Sequence, residues 1–119
     1  MPRLLRLDDP GVAAYAALLF DCDGTLVDTM GLHYEAWCGV VAPAGLTFPR
    51  ERYLAMAGAP TREILEALAG EQRVALNVDA LLPEKEERFL ALLHRVRPIE
   101  PVIATARAYR GSKRMAVVS

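Results

Sequence analysis

Ala17-Leu18-Leu19-Phe20-Asp21-Cys22-Asp23-Gly24-Thr25-Leu26-Val27-Asp28-Thr29 is the stretch on which the fold of this 119-residue chain turns. An apolar run enters two carboxylates one residue apart, and a glycine and a hydroxyl residue follow. Such a run reads as a buried strand that delivers acids at its carboxyl end, where open α/β sheets bind their ligands. Side chains alternate faces along a strand, so Asp21 and Asp23 are expected on one side and Cys22 on the other. Neighbouring carboxylates repel unless a cation or a shared proton relieves them.

A hard divalent cation such as Mg²⁺ fits that demand, because it takes oxygen ligands from one or two carboxylates plus phosphate oxygens. Gly24 lets the backbone turn sharply, with positive φ if needed. The turn is expected to expose N–H groups suited to an anion, with the Thr25 hydroxyl as a further donor. A calcium loop is a poorer reading, since Gly24 comes too early and Leu26 stands where a ligand is required.

Working outward, Tyr15–Asp21 is the expected strand, and its near-continuous apolar character suits cover on both faces. Before it, Met1–Gly11 is a lead-in with a turn at Asp9-Pro10-Gly11. After it the apolar period becomes helical. Helices are expected over Met30–Val41, ended by Pro43 and Gly45, and over Pro49–Met56, with proline at the first position. A third spans Thr61–Leu68 with Gly70 as its stop. Asp79 caps a fourth running to Val96, with Pro83 in its first turn. In that helix Leu81, Leu82, Phe89, Leu92 and Leu93 form the apolar face. A fifth runs over Ile99–Arg110, and Lys113–Ser119 is a second strand.

Strand, long helical excursion, helix, strand is an oversized βαβ unit. The excursion is too long for a simple crossover and is expected to be an inserted helical subdomain. The expected domains are therefore 1–29 with 98–119, and 30–97.

Composition narrows the function. The chain is 53% hydrophobic with a net charge of −1. That is enough apolar content for a core and gives no electrostatic case for nucleic acid. Cys22 and Cys38 are too few for a disulfide framework and are expected to be buried free thiols. His33 and His94 stand apart from any cysteine pair with zinc spacing. No run approaches the ~20 apolar residues of a membrane span, and Arg3 and Arg6 followed by Asp8-Asp9-Pro10 make a poor signal peptide. A cytoplasmic protein without membrane or nucleic-acid partners is expected.

Asp21-Cys-Asp23-Gly24-Thr25-Leu-Val-Asp28-Thr29 resembles the first signature of the haloacid dehalogenase superfamily. The resemblance implies an α/β fold: an incomplete Rossmann-like core holding strands 1 and 2, with an inserted α-helical bundle cap. It implies that Asp21 is a nucleophile attacking phosphorus and that Asp23 is a general acid and base. Mg²⁺ would be held by the Asp21 carboxylate and the Asp23 backbone carbonyl. Asp23 favours phosphoryl transfer over dehalogenation, because a halide leaves without a proton. Met115-Ala-Val-Val-Ser119 resembles the second signature, and Gly24, Thr25 and Ser119 are then the phosphate-binding positions.

Asp28-Thr29-x-x-x-His33-x-x-Ala36-Trp37, Gly58-Ala-Pro-Thr61-Arg62 and Lys85 resemble the β-phosphoglucomutase-like branch. The resemblance implies that Arg62 reaches the substrate's distal phosphate or polar group. It implies that His33 and Lys85 couple cap closure to the placement of Asp23. Read from the residues alone, His33 is equally a surface histidine, while a first-turn solvent charge is the weaker alternative for Arg62. Lys85, among Glu84, Glu86 and Glu87, is equally part of a solvated face. Trp37 is expected in the cap core and Asp28 as the N-cap of the first cap helix.

The substrate implied is a small phosphorylated metabolite, a sugar phosphate, hydrolysed or isomerised by a monomer. The family's later signatures, a lysine and an acidic pair, find no counterpart before Ser119. Three more βα units of ~30 residues each complete such a core. The 119 residues are thus expected to be an amino-terminal portion, nearly inactive and poorly stable alone. The competing expectation is a non-catalytic remnant or a helical interaction module.

Overall fold

The computed structural model describes residues 10–118, so the Met1–Asp9 lead-in and Ser119 lie outside the described residues. Contacts divide the chain into two compact units. One comprises the chain up to Thr29 together with the chain from Val96 onward, and the other is Met30–Arg95.

The first unit is α/β. Strand β1, Ala17–Asp21, pairs in parallel with β4, Arg114–Val118, in a register that sets Ala17 opposite Arg114 and Asp21 opposite Val118. Helix α5, Glu100–Ala108, precedes β4, and Pro101 lies in its first turn, where a missing N–H is no loss. The short strands β2, Val27–Asp28, and β3, Arg97–Pro98, pair antiparallel, extended by a 2.9 Å bond from Ile99 N–H to the Leu26 carbonyl. The Lys113 ammonium donates to the carbonyls of Ala13 and Tyr15 and lies over the Tyr109 ring.

The expected strand cover is not found. Leu19 is 72% exposed, and Met115, Val117 and Val118 are exposed as well. The reason is the two-stranded sheet, in which the described residues lay no second layer over that face. Apolar sequence recorded the preference for burial, but burial needs a partner surface.

The second unit is a helical bundle of α1, Met30–Val41; α2, Arg50–Ala55; α3, Thr61–Gln72; and α4, Val78–Leu92. Its core holds Trp37, Val41, Leu46, Phe48, Tyr53, Ile64, Leu65 and Leu68. Phe48 sits edge-on to both Trp37 and Tyr53, a favourable aromatic geometry. The polar tips of this aromatic cluster are satisfied. Tyr34 Oη–H donates to the Phe48 carbonyl at 2.8 Å, and Tyr53 Oη–H to the Met30 carbonyl at 2.9 Å.

Several boundaries differ from the sequence expectation for identifiable reasons. Pro49 has ψ 145 and stands outside α2 as its N-cap position, not inside as its first residue. Gly70 does not stop α3, which continues to Gln72 and ends at Arg73 in the left-handed region, φ 55. Tertiary bonds hold that extra turn. The Gln72 amide accepts from Thr47 N–H at 2.8 Å and donates to the Thr47 carbonyl at 2.7 Å, and Glu71 pairs with Arg52. These bonds outweigh a lone helical glycine, which costs about 1 kcal/mol.

Asn77, not Asp79, caps α4, its side chain accepting from Ala80 N–H at 3.3 Å. Pro83 therefore lies in the helix interior. The helix proper ends at Leu92, followed by a 3-10 turn, Leu93–Arg95. Of the expected apolar face, Phe89 is buried, but Leu93 is exposed. Cys22 and Cys38 are free thiols, half-buried where full burial was expected. No helix among the described residues is long and apolar enough to cross a membrane.

Candidate active site

β1 ends at Asp21, so the face-sharing argument for Asp21 and Asp23 does not hold as a strand rule: Asp23 lies past the strand, inside a turn. The chain there wraps around one carbonyl. Cys22 O accepts from Thr25 N–H at 3.2 Å, Leu26 N–H at 3.0 Å and Val27 N–H at 3.2 Å. Gly24, with φ 74, closes the loop by donating to the Val27 carbonyl at 2.8 Å. A left-handed residue is needed at that point, and glycine takes it without penalty. The expectation that this turn leaves its N–H groups open to an anion is therefore corrected for Gly24, Thr25, Leu26 and Val27, which spend theirs within the loop.

Asp21, exposed at the end of β1, accepts from Cys22 N–H at 2.9 Å on Oδ1. Asp23 Oδ1 accepts a 2.7 Å hydrogen bond from Thr29 Oγ1. Thr29 is 2% exposed and stands directly before α1. The loop thus presents one carboxylate at the strand end and a second fixed by a buried hydroxyl. The role of Thr29 has one trace in the sequence, a hydroxyl residue placed just before a helix. Asp28 is not the N-cap of α1. It belongs to β2, where it stands opposite Arg97. Thr25 is half-buried, and Ser119 lies outside the described residues.

Among the described residues no group of three or more His, Cys, Asp or Glu side chains could by itself hold a metal. The donors at the loop are carboxylate and carbonyl oxygens, which suit a hard cation that keeps water and substrate oxygens for its remaining positions. They do not suit a caged structural ion.

In the helical unit Lys85 is 5% exposed, which removes the solvated-face alternative. Its Nζ lies 2.9 Å from His33 Nδ1 and over the rings of Trp37 and Phe89, at 5.6 and 5.2 Å. His33 stacks on Phe89 with centroids 3.7 Å apart and planes 6° from parallel. It is half-buried against that ring, so the free-surface alternative falls too. α1 and α4 bring these residues together from positions far apart in sequence.

Arg62, in the first turn of α3, has its Nη2 2.5 Å from Asp79 Oδ1 and its Nη1 3.8 Å from Glu66 Oε1. The Asp79 hydrogen bond, reinforced by the charge of Asp79, holds this guanidinium above its ordinary value.

A parallel β–α–β core, a helical insertion between its strands and paired acids at the first strand's end define a class of enzyme. The model of the haloacid dehalogenase-like hydrolases matches residues 15–119, and the chain belongs to that family. Among its relatives, the fructose-1-phosphate phosphatase YqaB of Escherichia coli K12 is 36% identical over 104 residues, covering 87% of this chain and 55% of that protein. Among solved structures, CbbY from Rhodobacter sphaeroides in complex with phosphate superposes with TM-score 0.69 at 29% identity, over 86% of this chain and 49% of that one. A mutant of CbbY has been solved with xylulose-(1,5)bisphosphate, at TM-score 0.69 and 28% identity, over 86% and 49% of the two chains. A β-phosphoglucomutase-type structure from Bacteroides vulgatus, at TM-score 0.74 and 21% identity over 92% and 49% of the two chains, shares the fold. The chain spans about half the length of the relatives it matches.

Proposed function

We propose that this chain carries the nucleophile and the acid–base group of a Mg²⁺-dependent enzyme that transfers the phosphoryl group of small sugar phosphates, by hydrolysis or isomerisation. The observation that carries the reading is the loop from Asp21 to Thr29, with an exposed carboxylate at the strand end and a second carboxylate bonded to Thr29. An Asp21 carboxylate oxygen attacks phosphorus, and the bond from phosphorus to the sugar oxygen breaks. Asp23, as general acid, gives a proton to the leaving oxygen. Water, or a substrate hydroxyl, then attacks the aspartyl-phosphate while Asp23 takes its proton, and the bond from phosphorus to Asp21 breaks. Covalent carboxylate catalysis of this kind splits one difficult step into two, and the acid–base help is typically worth ~10²–10⁴-fold.

Mg²⁺, held by the Asp21 carboxylate and the Asp23 carbonyl, would neutralise charge on the transferring group. Gly24, Thr25 and Ser119 are proposed to shape the phosphate site. Residues 30–97 are proposed to act as the cap of a core formed by 1–29 and 98–119. In that cap His33 and Lys85 steady the closing surface, and Arg62 receives the part of the substrate away from the reacting phosphorus. The fructose-1-phosphate phosphatase has a substrate with one phosphate, and CbbY was solved with a sugar carrying two. These frame the substrate class. The protein is proposed to act as a monomer in the cytoplasm.

The exposed Leu19, Met115, Val117 and Val118 favour a second reading for the 119 residues taken alone: a helical module with little or no turnover. Turnover of a sugar-phosphate panel, with Mg²⁺ and after chelation, tests both. The whole protein is expected to turn over a sugar phosphate, by phosphate release or by isomer formation, only with the metal, and Asp21→Asn to abolish that turnover. Metal-independent turnover, or turnover surviving Asp21→Asn, overturns the proposal.

A further inference from the structure

We propose that Asp79 makes the Arg62 position selective for sugar monophosphates whose far end carries hydroxyl groups, and turns away a second phosphate. The inference deepens the proposed function and rests on its placing of Arg62 against the distal end of the substrate.

A guanidinium reserved for a distal phosphate presents its fork to that dianion. Arg62 does not. One arm lies 2.5 Å from Asp79 Oδ1, and the other is 3.8 Å from Glu66 Oε1. One positive charge therefore meets two negative ones within 4 Å, and the local sum is negative. A phosphate dianion entering there must displace or neutralise a carboxylate. Like charges this close repel a second phosphate, by an amount that solvent reduces at so exposed a site.

The same pair suits a polyol. The Arg62 guanidinium has five N–H donors, and only some face the two acids. The Asp79 side chain is 82% exposed and, as a carboxylate, accepts up to about four hydrogen bonds. Donor and acceptor side by side match a hydroxyl, which needs one of each. The Arg62 side chain is itself 48% exposed. An ion pair this open contributes little to stability, so hydroxyl groups can share it at small cost.

The test follows the Arg62 Nε–Hε signal of the protein by NMR during titration with fructose 1-phosphate and with fructose 1,6-bisphosphate. In the wild type the monophosphate is expected to move the signal at a concentration about tenfold lower than the bisphosphate. Asp79→Asn keeps the shape of an exposed side chain and removes its charge; it is expected to reverse that order. Glu66→Gln, altering the more distant acid, is expected to shift the ratio the same way by less. An unchanged ratio in Asp79→Asn, or a larger shift in Glu66→Gln, overturns the inference and leaves the role of Arg62 standing. If neither sugar phosphate moves the Arg62 signal in the wild type, the placing of Arg62 falls, and the inference with it.

Discussion

Thr29 Oγ1 donates a 2.7 Å hydrogen bond to Oδ1 of Asp23, six residues back along the chain. The donor is buried and sits where β2 gives way to α1, so its position is set by backbone at both sides. In the proposed acid–base role Asp23 gains from such a fixed point, because small misplacements in proton transfer are costly. Thr29→Val keeps the shape and deletes the donor. In the whole protein it is expected to lower kcat about 10- to 100-fold, a part of the general acid–base contribution, with KM little changed. Thr29→Ser is expected to restore most of the rate. Steady-state kinetics on a sugar phosphate check both, and a Thr29→Ser variant as slow as Thr29→Val contradicts the hydrogen-bonding role.

Lys85 is a buried cation whose ammonium meets His33 Nδ1 and two aromatic faces. Its stem fills space between α1 and α4, so the side chain packs as well as it bonds. Lys85→Met keeps most of the volume of the stem and forfeits the hydrogen bond to His33, while deleting the stem also leaves a cavity. Lys85→Met is therefore expected to change unfolding stability by less than about 1.5 kcal/mol. Lys85→Ala is expected to cost about 2–4 kcal/mol. Urea denaturation followed by circular dichroism measures the difference; equal losses in the two variants would show that the charge, not the packing, dominates.

Tyr34 ionises above its ordinary value of 10.0, chiefly through its interaction with the neighbouring Cys38 side chain, with burial adding to the effect and Arg50 partly offsetting it. Its donation to the Phe48 carbonyl also requires the phenolic proton. A raised folded pKa means the folded state holds this proton more tightly than the unfolded one. The associated stability is complete below pH 10.0 and is lost as pH rises through the folded value. Tyr34 is expected to give up its phenolic proton later than a free tyrosine does, followed by tyrosinate absorbance, and Cys38→Ala to bring that transition earlier.

Leu65 is fully buried at the centre of the helical core, with Leu68 one turn away. Leu65→Ala removes apolar contact and leaves a cavity, at an expected cost of about 2–5 kcal/mol. Leu19→Ser, on the exposed face of β1, is expected to cost less than about 0.5 kcal/mol in this chain. Thermal unfolding of both variants checks the contrast; a large loss from Leu19→Ser would mean that the β1 face is covered in solution.

The acid-bearing loop was legible because its chemistry is local. The apolar run into Asp21, and a glycine where φ must be positive, leave their mark within a few residues. The α1 boundaries, Met30–Val41, and the parallel pairing of the two strands follow from short-range periodicity and from a long crossover. What the sequence alone determined was therefore the class of fold and where in it the paired acids stand. The tertiary structure decided how they are held. It turned the N–H groups of Thr25, Leu26 and Val27 inward on Cys22, tied Asp23 to Thr29, and carried α3 past Gly70 through the Gln72–Thr47 bonds. It buried Lys85 against His33 and gave Arg62 to Asp79. Each of these joins groups whose meeting depends on how the chain folds back, and pairing across space leaves no periodic trace in one sequence.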